Sequence, residues 1–285
     1  MFLDPSKNCS FEEADAVIHQ IPYEYSSSYL KGSYRGPSEI IKSSHYVELF
    51  DDELKRETIT HTKIHTCPPL DINGKFNQEA MKSIQDYVKE KNSKKGVFHI
   101  YLGGEHSVSY PIIKHYALNN KDFGIFQIDA HADLRESYQG NKYSHASVMA
   151  RISELNLPIT QVGIRALSEE EHFKISKTKN ILSFFDSKTQ YNLDTWQKIG
   201  HSLPKNIYIT LDTDGLDPSV FPAVGTPEPG GLKWNEILSL LRFLFKEKNV
   251  LAMDVVECCP LENDIRTQYN LAKLIYRVIG YKFGA

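Results

Sequence analysis

The chain is poor in cysteine. Its 285 residues include four, Cys9, Cys67, Cys258 and Cys259. None sits in a C-x-x-C pair, and four are too few to staple a chain of this length. Cys258 and Cys259 are neighbours, which cannot bridge without backbone strain. The thiols therefore read as reduced and the compartment as cytoplasmic. An excess of one charge is also missing: 33 Lys and Arg stand against 36 Asp and Glu, a formal net charge of −3. That excludes the electrostatic term behind most nucleic-acid binding and the attraction to an anionic membrane. No apolar run approaches the ~18–20 residues of a bilayer span. The start, Met1 to Lys7, lacks a basic segment followed by an apolar one, so no leader is expected. Linkers rich in Pro or Ser, low-complexity tracts and repeats of roughly 20–50 residues are absent as well.

What remains is ordinary globular material, 41% hydrophobic and 24% charged, enough to build a core. Short apolar or β-branched runs recur at Ala16 to Ile21, Ile59 to Ile64, Val97 to Leu102, Gly124 to Ile128, Ile159 to Ile164, Ile181 to Phe185, Ile207 to Leu211 and Val250 to Val256. They read as eight strands. Helical periodicity falls between them at Asn77 to Asn92, Tyr110 to Ala117, Ser147 to Leu155 and Lys233 to Lys246, and a last helix is expected at Tyr269 to Ile279. Alternating strands and helices imply an α/β fold with a mostly parallel sheet covered on both faces. Residues 1–285 read as a single domain.

Such a sheet binds its ligand at the carboxyl ends of its strands. The acids and histidines fall there. Gly103-Gly104-Glu105-His106-Ser107 follows the third expected strand, and Asp129-Ala130-His131-Ala132-Asp133 follows the fourth. Asp212-Thr213-Asp214-Gly215-Leu216-Asp217-Pro218 follows the seventh, and Glu257 follows the eighth. In extended chain, residues two apart face the same side. Asp129 can therefore converge with His131, and Asp212 with Asp214, while Asp133 curls back from the loop. Any one of these residues alone reads as a helix cap or turn former. Together they form one acidic cluster at one sheet edge.

Carboxylates crowded in this way repel and must be neutralised. Two divalent cations balance the charge of Asp129, Asp133, Asp212 and Asp214. Carboxylate and imidazole donors without thiolate favour Mn²⁺ over structural Zn²⁺. Such a pair of ions can supply a nucleophile from water.

At these residues the sequence resembles the ureohydrolase superfamily, which contains arginases, agmatinases and related guanidino-hydrolases. Pro22-Tyr23, the stretch from Gly32 to Ile40 and Gly225-Thr226-Pro227-Glu228-Pro229-Gly230-Gly231 are similar to it too. The resemblance implies a three-layer α/β/α sandwich with an eight-stranded, mostly parallel sheet. It implies two Mn²⁺ per chain, one held by His106, Asp129, Asp133 and Asp212, the other by Asp129, His131, Asp212 and Asp214. It also implies a proton-transfer role for His145, a guanidinium-orienting role for Glu257, and a trimer or hexamer of identical chains; Asp133 is expected to be catalytic as well, holding the intermediate or protonating the departing amine. The loop from Leu134 to Tyr143 resembles the agmatinase form rather than the Asn- and Thr-rich arginase loop. The expected reaction is therefore agmatine and water to putrescine and urea. Aminopropylagmatine, guanidinobutyrate, arginine and formiminoglutamate are the alternative substrates. Two other classes suit the residues less well. A non-catalytic relative usually loses the ligand set that this chain keeps, and an acyl-lysine deacetylase fits the motif spacing less well.

Four positions depart from the pattern. Glu105 stands where many relatives carry Asp, Thr213 replaces an aliphatic residue, and Cys258-Cys259 follows Glu257. Thr213 is expected to point away from the metals, and the cysteines to be small buried side chains.

Overall fold

The structure is a computed structural model and describes residues 1–284. In chain order the elements are β1 (Ala16–Ile21), α1 (Gly36–Ser44), β2 (Phe50–Asp51), β3 (Arg56–Glu57), β4 (Ile64–Pro69), α2 (Asn77–Lys91) and β5 (Phe98–Gly103). Then come α3 (Ser109–Asn119), β6 (Gly124–Ile128), α4 (Val148–Ser153), β7 (Ile159–Ile164), α5 (Glu169–Lys177), β8 (Ile181–Phe185) and α6 (Leu193–Ser202). The chain closes with β9 (Asn206–Asp212), α7 (Trp234–Glu247), β10 (Asn249–Val256) and α8 (Arg266–Phe283). Eight strands form one sheet in the order β4-β1-β5-β10-β9-β6-β7-β8. Every pairing in it is parallel.

The layers follow from strand alternation. Phe98, Ile100 and Leu102 of β5 join a core shared with α1, α6, α7 and α8. Tyr101 between them points the other way, into a core with Met81 and Ile84 of α2, Ile112 and Ile113 of α3, and Met149 of α4. Strand β9 divides in the same way, with Ile207, Ile209 and Leu211 on one face and Tyr208 on the other. The α/β/α sandwich is thus the period-two pattern of the strands made solid.

Seven of the expected strands lie within a residue of their observed bounds. The expected strand from Ile59 to Ile64 is corrected: Thr58–Thr60 is a 3-10 turn, and the strand is Ile64–Pro69. This is an edge strand, pairing only with β1, which is where Pro68 and Pro69 can be accommodated. The β2–β3 hairpin and helices α1, α5 and α6 have no counterpart among the expected elements. Two carried a readable start. Ser168 and Glu171 form a capping box on α5, and Asn192 caps α6 by accepting from Thr195 N–H.

The strand order decides the site. β5, β10, β9 and β6 are adjacent at the centre, so the loops after Gly103, Val256, Asp212 and Ile128 emerge side by side. Gly104 permits this packing. A Cβ placed there would lie 2.1 Å from the Tyr23 carbonyl oxygen. We expect Gly104→Ala to push the Tyr23 segment outward and cost roughly 1–3 kcal/mol of stability, read by denaturant unfolding. An unchanged midpoint would show that the segment yields freely.

Candidate metal centre and active site

Three strand ends converge on His106. Its Nδ1 lies 3.1 Å from Asp129 Oδ2, 3.1 Å from Asp133 Oδ2 and 3.2 Å from Asp212 Oδ2. Its other nitrogen, Nε2, is 2.9 Å from Thr210 Oγ1. Thr210 donates its own proton to Asp254 Oδ1 at 2.7 Å, and Tyr208 donates to Asp254 Oδ2 at 2.8 Å. Thr210 therefore accepts from Nε2–H, which makes Nδ1 of the neutral ring the atom that faces the three carboxylates. That buried nitrogen has no hydrogen-bond partner. A lone pair and three carboxylate oxygens facing one point are the donor set of a divalent cation.

A second cluster adjoins the first. His131 Nδ1 lies 2.9 Å from Asp214 Oδ2 and 3.8 Å from Asp129 Oδ1. Donor atoms of Asp129, His131 and Asp214 lie within 4.8 Å of one another, as do those of His106, Asp129 and Asp212. Asp129 belongs to both. Asp212 faces His106 with Oδ2, while its Oδ1 accepts from Asp214 N–H at 2.9 Å. All six expected ligand residues are therefore brought to one place, and both donor sets suit divalent ions.

The charges are under strain. Burial first, then the charges of Asp133 and Asp214, push the Asp129 carboxyl up to about 7. Burial and the Asp214 and Asp129 charges raise Asp212 well above the carboxylate range. Burial would raise Asp214 too, but the His131 partner outweighs it and holds Asp214 low. Burial pulls His131 down, yet Asp214 drives it up to about 11. The backbone is strained as well: Asp133 and Glu257 hold φ of 53° and 60°, in the left-handed region that non-glycine residues rarely adopt. The Asp133 turn is held by Met149 and Ala150 N–H groups donating to its carbonyl, and Glu257 N–H donates to the Gly104 carbonyl at 2.8 Å.

The clusters open onto a cavity of about 300 Å³. His131, Asp133, Asp212, Asp214, His145 and Glu257 all line it, with Tyr29, Arg135, Tyr138 and Glu228 nearer the segments that surround it. Glu257 Oε1 accepts from His106 N–H at 2.7 Å. Burial and the neighbouring Glu105 charge raise the Glu257 carboxyl well above its usual range.

Several supporting residues were not singled out in the sequence. Ser183 donates to Gln161, Gln161 to Gln127, and Gln127 to Asp129 Oδ2 at 2.7 Å. Arg165 binds the carbonyls of Asp214, Glu228, Pro229 and Gly163, tying the Gly225–Gly231 segment to the site. The available signal was the presence of Gln127, Gln161, Thr210 and Asp254 inside otherwise apolar strands. Thr213 donates to the Val256 carbonyl at 2.6 Å. Cys258 and Cys259 are buried free thiols.

Clustered acids and histidines on the central loops of a parallel sheet suit a metal-assisted hydrolase of the α/β class. Residues 14–280 match the sequence profile of the Arginase family, and the chain belongs to that family. It is 34% identical to the N(1)-aminopropylagmatine ureohydrolase of Synechocystis, over 98% of this chain and 93% of that one. It is 32% identical to the agmatinase of Pyrococcus horikoshii, over 94% and 92%. The solved structure of the agmatine ureohydrolase of Thermoplasma volcanium superposes with a TM-score of 0.86 at 28% identity, covering 100% of this chain and 95% of that one.

Two predictions follow from the geometry. Thr210→Val removes the acceptor that orients His106, and metal affinity should fall roughly 10–100-fold, measured by competition with a metal indicator. The second concerns pH. Asp129 ionises at about 7 when folded and 3.8 ordinarily, so the metal-free protein loses stability as pH rises through that window. A cation binds the ionised form, so its stabilisation grows over the same window. The gap in melting temperature between Mn²⁺-loaded and chelator-treated protein should therefore widen from about pH 5 to about pH 8. A constant gap would contradict the placement of Asp129 at the cation.

Proposed function

We propose that the protein hydrolyses the guanidino group of a linear guanidino amine, with agmatine, giving putrescine and urea, as the first reading. The observation that carries it is the cavity lining. Asp133, Asp212, Asp214, Glu228 and Glu257 bring acid to it, and its one Lys or Arg side chain among the described residues is Arg135. Arg135 is itself engaged, with Nε 3.5 Å from Glu171 and its guanidinium over the Tyr138 ring. An amine tail suits such a lining better than the α-carboxylate of arginine. Aminopropylagmatine is the second reading, favoured by the names of relatives that include the Synechocystis and Thermus thermophilus enzymes.

In this reading His106, Asp129, Asp133 and Asp212 hold one ion, and Asp129, His131, Asp212 and Asp214 the other. We take both as Mn²⁺, on the carboxylate and imidazole donor set. When bound, the pair lowers the proton affinity of water and stabilises developing negative charge. Glu257 accepts N–H bonds from the planar guanidinium, whose positive charge offsets the cost of ionising that buried carboxyl. Asp133, at the turn of its loop, completes the acidic wall beside the reacting carbon. His145 passes a proton to the departing nitrogen as the C–N bond breaks and its electron pair goes there. Water supplies the carbonyl oxygen of urea and the protons that make the amine an ammonium, so charge is conserved. We read the whole chain as one catalytic domain that works in the cytoplasm, as a trimer or hexamer by family resemblance.

The test is urea release by Mn²⁺-loaded protein from agmatine, aminopropylagmatine, guanidinobutyrate and arginine in parallel. Agmatine should turn over best. No urea from any of them, with metal content verified, would overturn the enzyme reading, and preference for another overturns the substrate choice alone. Asp129→Ala should lose metal and at least about a hundredfold in kcat together. Retention of both ions and full turnover would overturn the ligand assignment.

A further inference from the structure

Glu105 has no part in the site as assigned so far, yet it is fully buried, at 0% exposure, beside His106. It accepts four hydrogen bonds. Its Oε2 takes the backbone N–H of Tyr25 at 2.7 Å and of Ser26 at 2.6 Å. Its Oε1 takes the hydroxyl of Ser26 at 3.0 Å and of Ser107 at 2.5 Å. This one carboxylate therefore anchors the start of the segment whose later residues, Ser27 to Leu30, line the cavity.

Ser26 links it to His145. The Ser26 oxygen is 2.9 Å from the His145 backbone nitrogen and 3.1 Å from His145 Nδ1. A hydroxyl has one proton and two lone pairs. The proton goes to Glu105, which has only lone pairs to offer. The backbone N–H of His145 can only donate. The remaining lone pair of Ser26 must therefore meet a proton on Nδ1. Tyr138 also packs against the His145 ring in a T-shaped pair, with ring centroids 5.6 Å apart and planes at 74°. The ring is thus located by contacts from two loops.

We infer that Glu105 and Ser26 are positioning residues that hold His145 as the Nδ1–H tautomer, leaving Nε2 as the nitrogen that exchanges protons with the departing amine. The inference rests on the proton-transfer role proposed for His145. In each turnover Nε2 takes up one proton of the attacking water and gives it up to the amine nitrogen as the C–N bond breaks and its electron pair goes there. The other proton stays on Nδ1, donated to the Ser26 oxygen throughout, and the ring returns to its starting form. An acid held two bonds away from the imidazole through a hydroxyl also stabilises the transient imidazolium.

The test compares Ser26→Ala, Ser26→Thr and Glu105→Gln in the metal-loaded enzyme. Ser26→Ala should lower kcat about ten- to one-hundredfold while KM stays within about threefold and metal content is unchanged. Ser26→Thr keeps the hydroxyl and should restore most of kcat. Glu105→Gln can donate where Glu105 accepted, turning the Ser26 proton toward Nδ1, so kcat should fall here too. The double variant should be no slower than Ser26→Ala, because the pair acts through one hydroxyl. Full kcat in Ser26→Ala, a parallel loss of metal, or additive losses in the double variant would overturn the inference. Should Ser26→Ala not fold, Glu105→Gln carries the same expectation. The tautomer has its own readout, the side-chain nitrogen shifts of His145 in wild-type protein loaded with Mg²⁺. A protonated Nδ1 is expected and a protonated Nε2 overturns it. This measurement stands even if the wild type releases no urea, a result that would sink the reaction and not the relay.

Discussion

Four aspartates aimed at one edge of a parallel sheet repel one another, and most of the unusual chemistry of this chain answers that repulsion. Burial makes it worse, because the low-dielectric surroundings that exclude water also strip the charges of solvation. His106 shows the consequence most directly. With Nε2–H committed to Thr210, its Nδ1 lone pair looks at three carboxylate oxygens about 3.1–3.2 Å away. A divalent cation placed among these atoms would remove the repulsion.

The surrounding polar residues make sense in that light. Gln127, Gln161 and Ser183 run as a chain of donors to Asp129. Thr210, Asp254 and Tyr208 set the ring of His106 from behind. Each puts polar atoms into strands that would pack more simply as aliphatic residues, and each is satisfied by its neighbours, as buried polar networks must be. The strained backbone at Asp133 and Glu257 belongs to the same pattern: the left-handed turns bring both side chains to the cavity and are held by main-chain hydrogen bonds. Glu105 extends it outward, joining the end of β5 to the segment that flanks the cavity and to His145.

Much of the sheet was legible because its strands are buried on both faces and so read as short apolar runs. The edge strand β4 was misplaced because Thr66, Cys67, Pro68 and Pro69 carry no such run. Helix α5 was missed because Glu169, Glu170 and Lys174 outnumber its apolar residues, although its capping box was written in the chain. The six candidate metal ligands were legible from their place after strands. Their supporting partners were not, since a glutamine or threonine inside a strand says nothing of what it will meet on the next one.

By itself the sequence determined the periodicities, the eight-strand count, the acidic motifs and the resemblance that goes with them, because these are local patterns in a chain. The tertiary structure decided the strand order that sets β5, β10, β9 and β6 side by side, and hence which acids meet at one point. It also decided which nitrogen of each histidine faces inward. Those outcomes depend on hydrogen bonds between residues as far apart as 104 positions for His106 and Thr210, and 119 for Ser26 and His145. Only the folded chain brings such partners within 3.1 Å of each other.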